Sequence, residues 1–226
     1  MLNFLTKPLS DLLMFLSHHV PGHDLGIVII LLTIIIRIVL FPLSRQAIKA
    51  QSKLALHKDQ IKAIQTKFKD KETQSKELMK FYQENKINPF SGCLPLIIQL
   101  IVLVALYQVF IGILKFQDSS INYVFLGFLD LSQKNTVLAV LTGIVQLFAS
   151  LLTMKRAASI PQPGASEKSA ALQKNLNRQM SYLLPVFTVF IALTLPAGLV
   201  FYWFISTLLG VGQDYYLYKR FSVPKS

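Results

Sequence analysis

Residues 25–43 form one apolar run, Leu25-Gly-Ile-Val-Ile-Ile-Leu-Leu-Thr-Ile-Ile-Ile-Arg37-Ile-Val-Leu-Phe-Pro-Leu43, 19 residues long with a single charge. A helix of that length crosses a bilayer, so the run commits the chain to a membrane. It also poses a problem. Arg37 lies eight residues before Arg45, where polar sequence begins. That puts it about 12 Å inside the apolar layer at about 1.5 Å per residue. A guanidinium at that depth costs at least about 2 kcal/mol unless water or a partner reaches it. Snorkelling along the side chain covers only part of the distance. Arg37 is therefore a candidate functional residue.

Composition agrees with a membrane. The chain is 53% hydrophobic and 15% charged, away from the balance of soluble domains. Cys93 is its one cysteine, so no disulfide framework exists, and it is expected to pack as a small apolar residue. No charged region followed by an apolar core and a small-residue cleavage site opens the chain, because Lys7 and Pro8 interrupt it. The first spanning segment is expected to be retained.

Five segments qualify as spans: 25–43, 93–114, 135–154, 180–195 and 198–217. The last two come from one apolar block, too long for a single crossing. Leu195-Pro196-Ala197-Gly198-Leu199 divides it at an expected tight turn. Lys and Arg give the orientation. Connections 44–92, 155–179 and 218–226 carry 19 of them, against three (Lys7, Lys115 and Lys134) on the opposite side. This asymmetry puts the N-terminus outside and the C-terminus in the cytoplasm. An even number of spans would destroy the partition.

Residues 1–24 are expected to form an external interfacial helix, since Leu9, Leu12, Leu13 and Leu16 share one face. Residues 45–88 read as a cytoplasmic hairpin of two helices, broken at Asp70-Lys-Glu-Thr73. Asn88-Pro89-Phe90-Ser-Gly92 ends its second arm. Residues 155–179 are expected to be a flexible cytoplasmic loop, most clearly over 159–169, and 218–226 a cytoplasmic tail. Tyr123, Phe125 and Phe128 are candidate interface anchors.

The chemistry is defined partly by what is missing. No phosphate-binding glycine loop, dinucleotide fingerprint, zinc-protease motif or paired-cysteine motif occurs. His18, His19 and His23 read as a solvated loop, and no intramembrane acid or His is available to activate a Ser. No enzymatic activity and no cofactor or metal are expected. Polar residues inside the spans remain: Thr33, Gln99, Gln108, Gln146, Ser150, Thr188, Thr194, Ser206 and Gln213, beside Tyr202 and Trp203. Each Ser or Thr is expected to bond back to its own helix or to make a helix contact. An amide in lipid needs partners at both ends. Gln146 lies eight residues before Met154, which matches the depth of Arg37. The match suggests a shared polar cavity.

Several motifs follow one another in order along the chain. They are Leu32-Thr33-Ile-Ile-Ile-Arg37 with Phe41-Pro42-Leu43-Ser44, then Gln60 and Ile61 through Phe68. Asn88-Pro89-Phe90-Ser-Gly92-Cys93-Leu94-Pro95-Leu96 with Gln99 follows, then Ala105-Leu106-Tyr107. Leu195-Pro196-Ala197-Gly198-Leu199 with Tyr202-Trp203 and Gln213 completes the set. In these motifs the chain resembles the YidC/Oxa/Alb family of membrane protein insertases, specifically the bacterial YidC type, over about residues 25–217. Ile101 stands where the family usually has Pro, and nothing in these 226 residues resembles the large periplasmic domain of Gram-negative members.

The resemblance implies an all-α membrane protein. Its core is five transmembrane helices, with an N-terminal interfacial helix and a cytoplasmic helical hairpin. It implies a hydrophilic groove, open to the cytoplasm and lipid and closed outside, built around Arg37, Gln146 and Trp203, with Thr33 and Gln99 as further candidates. Its implied partners are nascent membrane protein substrates and the bilayer, with the ribosome and the Sec translocon as candidates. The C-terminal tail is short and only mildly basic, which weakens an inference of strong ribosome docking through it. The implied location is the bacterial cytoplasmic membrane. A small anion transporter or channel using Arg37 is the competing reading, but no inverted repeat accompanies it. The Lys-rich hairpin also raises nucleic-acid binding. Its five acids reduce its net charge to +6, which favours a solvated or headgroup-facing surface.

Overall fold

The computed structural model describes residues 3–68, 70–88, 94–116, 121–157 and 167–221. Among these are eight α-helices: α1 (Asn3–His19), α2 (Leu25–Leu56), α3 (Lys58–Lys67), α4 (Lys71–Glu84), α5 (Leu94–Phe116), α6 (Thr136–Ala157), α7 (Glu167–Ala192) and α8 (Ala197–Phe221). A short 3-10 turn, Pro21–His23, joins α1 to α2. Two strands, β1 (Val124–Phe125) and β2 (Leu129–Asp130), pair antiparallel with Val124 opposite Asp130.

Among the described residues, three helices are long and apolar enough to cross a membrane: Leu25–Leu56, Ile97–Lys115 and Thr136–Met154. Within α7 the apolar part is the shorter Ser181–Ala192. Several apolar side chains on these helices face outward, including Ile38, Val39, Leu100, Val137, Val186 and Phe190, each 60–68% exposed. Water tolerates such a surface poorly, at roughly 25 cal/mol per Å². Hydrocarbon does not penalise it.

Helix boundaries differ from the sequence expectation in two places. The first arm of the expected 45–88 hairpin does not start afresh after the apolar run. Instead α2 continues through Pro42 to Leu56, and α3 follows after His57. Pro42 removes one backbone hydrogen bond, but Arg45 to Leu56 is rich in strong helix formers that carry the helix on. Second, the expected flexible loop 155–179 is largely helical, with α6 reaching Ala157 and α7 starting at Glu167. Ala170, Ala171, Leu172, Gln173 and Lys174 have high helix propensity and follow the Pro and Gly residues on which the loop expectation rests. The rest of that loop, 158–166, lies outside the described residues, as do Pro89 to Cys93 and tail residues 222–226.

The chain divides into two compact units. One comprises Met1–Phe41, Leu96–Gln146 and Pro185–Gly212. Its core joins Leu13 of α1 to Leu25, Val28, Ile29 and Leu32 of α2, Ala105, Leu106 and Phe110 of α5, and Leu199 and Tyr202 of α8. On α2 these positions follow the i, i+3, i+4, i+7 rule of one helical face. Asp24 clasps this unit. Its Oδ1 accepts from the Gly26 and Ile27 amides at 2.8 and 3.3 Å, capping α2. Its Oδ2 accepts from the Leu126 amide in the β1–β2 turn at 3.0 Å. Phe125 lies where a side chain on Gly26 would stand.

The start of α8 is tied in the same way. The Ala197 amide donates to the Gln133 carbonyl at 2.7 Å and the Gly198 amide to the Leu131 carbonyl at 2.8 Å. These bonds satisfy two amides that a helix start leaves open. Gly198 was expected to serve a tight turn, yet it sits inside the first turn of α8. Its role is close packing, because a Cβ there would stand 2.5 Å from Phe110 Cε1.

The other unit comprises Pro42–Pro95, Leu147–Leu184 and Gln213–Ser226. Leu54, Ile61, Leu78, Tyr82 and Ile87 form its small core, with Ile64 and Phe81 against it. Asp70 caps α4, its carboxylate accepting from the Thr73 amide at 2.8 Å and the Thr73 hydroxyl at 2.7 Å. The Thr73 backbone bond chiefly, with the hydroxyl bond, lowers the Asp70 pKa below its ordinary value. Gln74 bridges the turn, donating to the Gln65 and Phe68 carbonyls. Arg45 and Lys49 both sit over the Phe221 ring, at 5.4 and 4.9 Å from its centroid.

Candidate functional site

Arg37 lies on α2, half-buried, and its guanidinium reaches α8. Nη2 donates to the Ser206 carbonyl and to the Ser206 hydroxyl, the latter at 3.0 Å. The Ser206 hydroxyl in turn donates to Gln99 Oε1 of α5 at 3.3 Å. Gln99 Nε2 donates to the Tyr202 hydroxyl at 3.1 Å. The result is a directional chain, Arg37 to Ser206 to Gln99 to Tyr202, across three helices. Ser206 is 2% exposed and Tyr202 fully buried, while Gln99 is half-buried. Both ends of the Gln99 amide are engaged, as an amide away from water requires.

Helix periodicity builds this arrangement. Tyr202, Ser206 and Gly210 are spaced four apart on α8 and so share one face. Gly210 is where the guanidinium rests. A Cβ there would stand 2.6 Å from Arg37 Nη2, 2.9 Å from Nη1 and 3.0 Å from Cζ. The two acceptors on Ser206 are a carbonyl and a hydroxyl oxygen, which carry no formal charge of their own. In low dielectric the attraction of the guanidinium for an anionic group exceeds the value in water several-fold.

Of the sequence candidates, the structure brings together Arg37 and Gln99, through Ser206. Thr33 is fully buried, and its hydroxyl donates to the Ile29 carbonyl one turn back at 2.6 Å. That is the local bond expected of a membrane Thr. Trp203 is half-buried on α8, and its carbonyl accepts from the Thr207 hydroxyl. Gln146 is half-buried on α6 and shares no hydrogen bond with Arg37, Ser206 or Gln99 among the described residues. Equal depth along two helices did not place it in this network. Ser206 and Tyr202 stand among the intramembrane polar residues of the sequence but not among its site candidates, and Gly210 stands in neither group. The available signal was their fourfold spacing, read together with a Gln in another apolar helix that needed partners.

No group of three His, Cys, Asp or Glu able to hold a metal occurs among the described residues. An open pocket lined by Tyr107, Ile111, Ser132, Gln133, Lys134, Thr194 and Pro196 contains none of the Arg37 network.

These features define a mostly helical membrane protein with a cationic polar site set among its apolar helices. The family model described as 60Kd inner membrane protein matches residues 15–225. The chain belongs to this family, that of the YidC membrane protein insertases. It is 35% identical over 194 residues to a membrane protein insertase YidC of Clostridium tetani, covering 85% of this chain and 81% of that one. It is 33% identical over 219 residues to the YidC of Wigglesworthia glossinidia brevipalpis, covering 96% of this chain but 37% of that one. A crystal structure of an active YidC insertase with its first transmembrane domain resolved superposes with a TM-score of 0.62 at 28% identity. That match covers 95% of this chain and 46% of the solved one.

Proposed function

We propose that this chain inserts nascent membrane proteins into the bilayer, using Arg37 as the receptor for the hydrophilic segment that must cross. The observation that carries this reading is the guanidinium held among apolar helices by neutral oxygens of Ser206. The relatives that bear the name insertase support it. In this reading α2, α5, α6, α7 and α8 all cross the membrane, with the N-terminus outside and the C-terminus in the cytoplasm. The Lys-rich connection 44–92 supports that orientation. The α3–α4 hairpin then lies on the cytoplasmic side, and α1 rests on the outer leaflet. Gln146 and Trp203 contribute hydration and shape to a groove open to the cytoplasm, and Thr33 supports Arg37 by packing.

The mechanism needs no bond chemistry. The barrier is the passage of a polar segment through hydrocarbon. A hydrated recess shortens that path, and Arg37 draws acidic groups into it. The apolar helix of the substrate then partitions into lipid, which drives the step at about 0.8 kcal/mol per CH₂. The bilayer and nascent membrane proteins are the partners, and the ribosome and the Sec translocon remain candidates.

The test is insertion of a single-span protein with an acidic outer tail into liposomes containing the purified chain. Arg37→Ala should stall insertion, and Arg37→Lys should largely restore it. Normal insertion by Arg37→Ala overturns the reading. Anion flux in the same liposomes without a protein substrate would favour an anion transporter instead.

A further inference from the structure

Gly210 is an odd residue for its place. It lies in the interior of α8, 25 residues long, where glycine weakens a helix through its backbone freedom. No positive φ calls for it, since among the described glycines only Gly22 and Gly127 have one. Packing calls for it. Three atoms of the Arg37 guanidinium lie within 3.0 Å of where a Cβ would be. Ser206, one turn earlier on the same face, supplies two oxygens that Nη2 bonds. The pair forms a notch: Ser206 provides the acceptors, and the missing side chain of Gly210 provides the space.

We propose that Gly210 is the positioning residue that seats the Arg37 guanidinium against α8, fixing the place at which the charge is presented to substrate. The obstruction that a methyl group would create falls on the far end of a long, flexible side chain. An alanine at 210 would therefore leave α8 intact and lift the guanidinium off Ser206. Gly212 supplies an internal control. It sits two residues further on in α8, and a Cβ there would meet nothing within 4 Å. Lysine at position 37 supplies a second control, because a compact ammonium lacks the planar fork that needs the notch.

This proposal rests on the insertase reading for its functional consequence, but the seat can be measured without it. In magic-angle-spinning NMR of the full chain in lipid, labelled at arginine and glycine, a Gly210 Cα to Arg37 guanidinium cross-peak is expected. Gly212 should give none. Absence of the Gly210 cross-peak overturns the proposal. In the liposome assay, Gly210→Ala should lower insertion of the acidic-tailed substrate several-fold, and Gly212→Ala should leave it unchanged. In the Arg37→Lys background, Gly210→Ala should have no further effect. An equal loss from Gly210→Ala in both backgrounds would mean that the glycine serves the helix alone, and overturns the seat. A cross-peak that is present while Arg37→Ala inserts normally keeps the seat and removes the insertase role of Arg37.

Discussion

The Arg37 guanidinium takes two oxygens from one residue, the carbonyl and the hydroxyl of Ser206, which stands 169 positions further along the chain. The hydroxyl also serves Gln99 at 3.3 Å. Ser206 is therefore the junction at which α2, α5 and α8 meet through polar atoms.

Ser206→Ala removes the junction hydroxyl but keeps the carbonyl. We expect a loss of about 1–2 kcal/mol, the range for a bond to a charged group plus a weaker neutral one, partly retained. Gln99→Leu should cost a similar amount. The two together should cost less than their sum, because they share one hydrogen bond. Thermal unfolding of the purified protein in detergent reads all three, and strict additivity would break the proposed chain.

Gly198→Ala should destabilise by about 1–3 kcal/mol, typical of overpacking. The new methyl would meet Phe110 Cε1 at 2.5 Å and the Leu131 carbonyl at 3.2 Å. The ring can be shortened and the carbonyl cannot, so Phe110→Leu should recover part of the loss in the same unfolding experiment. No recovery would place the strain at the backbone.

Asp24→Ala should cost about 2 kcal/mol, combining a lost cap with a lost tie to the Leu126 amide. Asp24→Asn keeps one acceptor oxygen and should cost less. Hydrogen exchange is the direct measurement. The Gly26 and Leu126 amides should exchange faster together in Asp24→Ala, whereas independent responses would show that the clasp is not a unit.

Tyr82 is 2% exposed, and its hydroxyl has no partner among the described residues. Burial raises its pKa above the ordinary 10.0. As pH rises past 10.0, the unfolded state loses this proton while the folded state keeps it, so the contribution to stability falls on the alkaline side. Tyr82→Phe should be neutral or slightly stabilising at pH 7 and should reduce the loss of helicity above pH 10. Circular dichroism of the two proteins over that range checks it. A clear loss at neutral pH would mean that the hydroxyl has a partner after all.

Hydropathy was enough to find the three most apolar helices, and Arg37 stood out because its cost was visible without a structure. The partners of Arg37 were less visible. Ser206 and Tyr202 looked like ordinary polar residues of an apolar helix, and only the fold brings a residue from α8 to one from α2. Depth arithmetic matched Gln146 to Arg37 along the helices, and it carries no information on hydrogen-bond partners. The Pro, Gly and Ser residues of 159–169 point to a loop, and the loop expectation extends through 179, where local composition favours helix. The β1–β2 pair escaped notice because two-residue strands carry no periodic signal.

The separation between Arg37 and Ser206 has a consequence in time. A chain is made from its N-terminus at roughly 5–20 residues per second. Over the 169 residues that separate the two, that rate leaves an interval of about ten to thirty seconds. Throughout it the guanidinium exists and Ser206 does not. During its own biogenesis this protein presents the problem it is proposed to solve for others, a charged group entering an apolar layer before its companions have arrived. Until α8 emerges, water, lipid headgroups or an insertase already in the membrane has to stand in for Ser206.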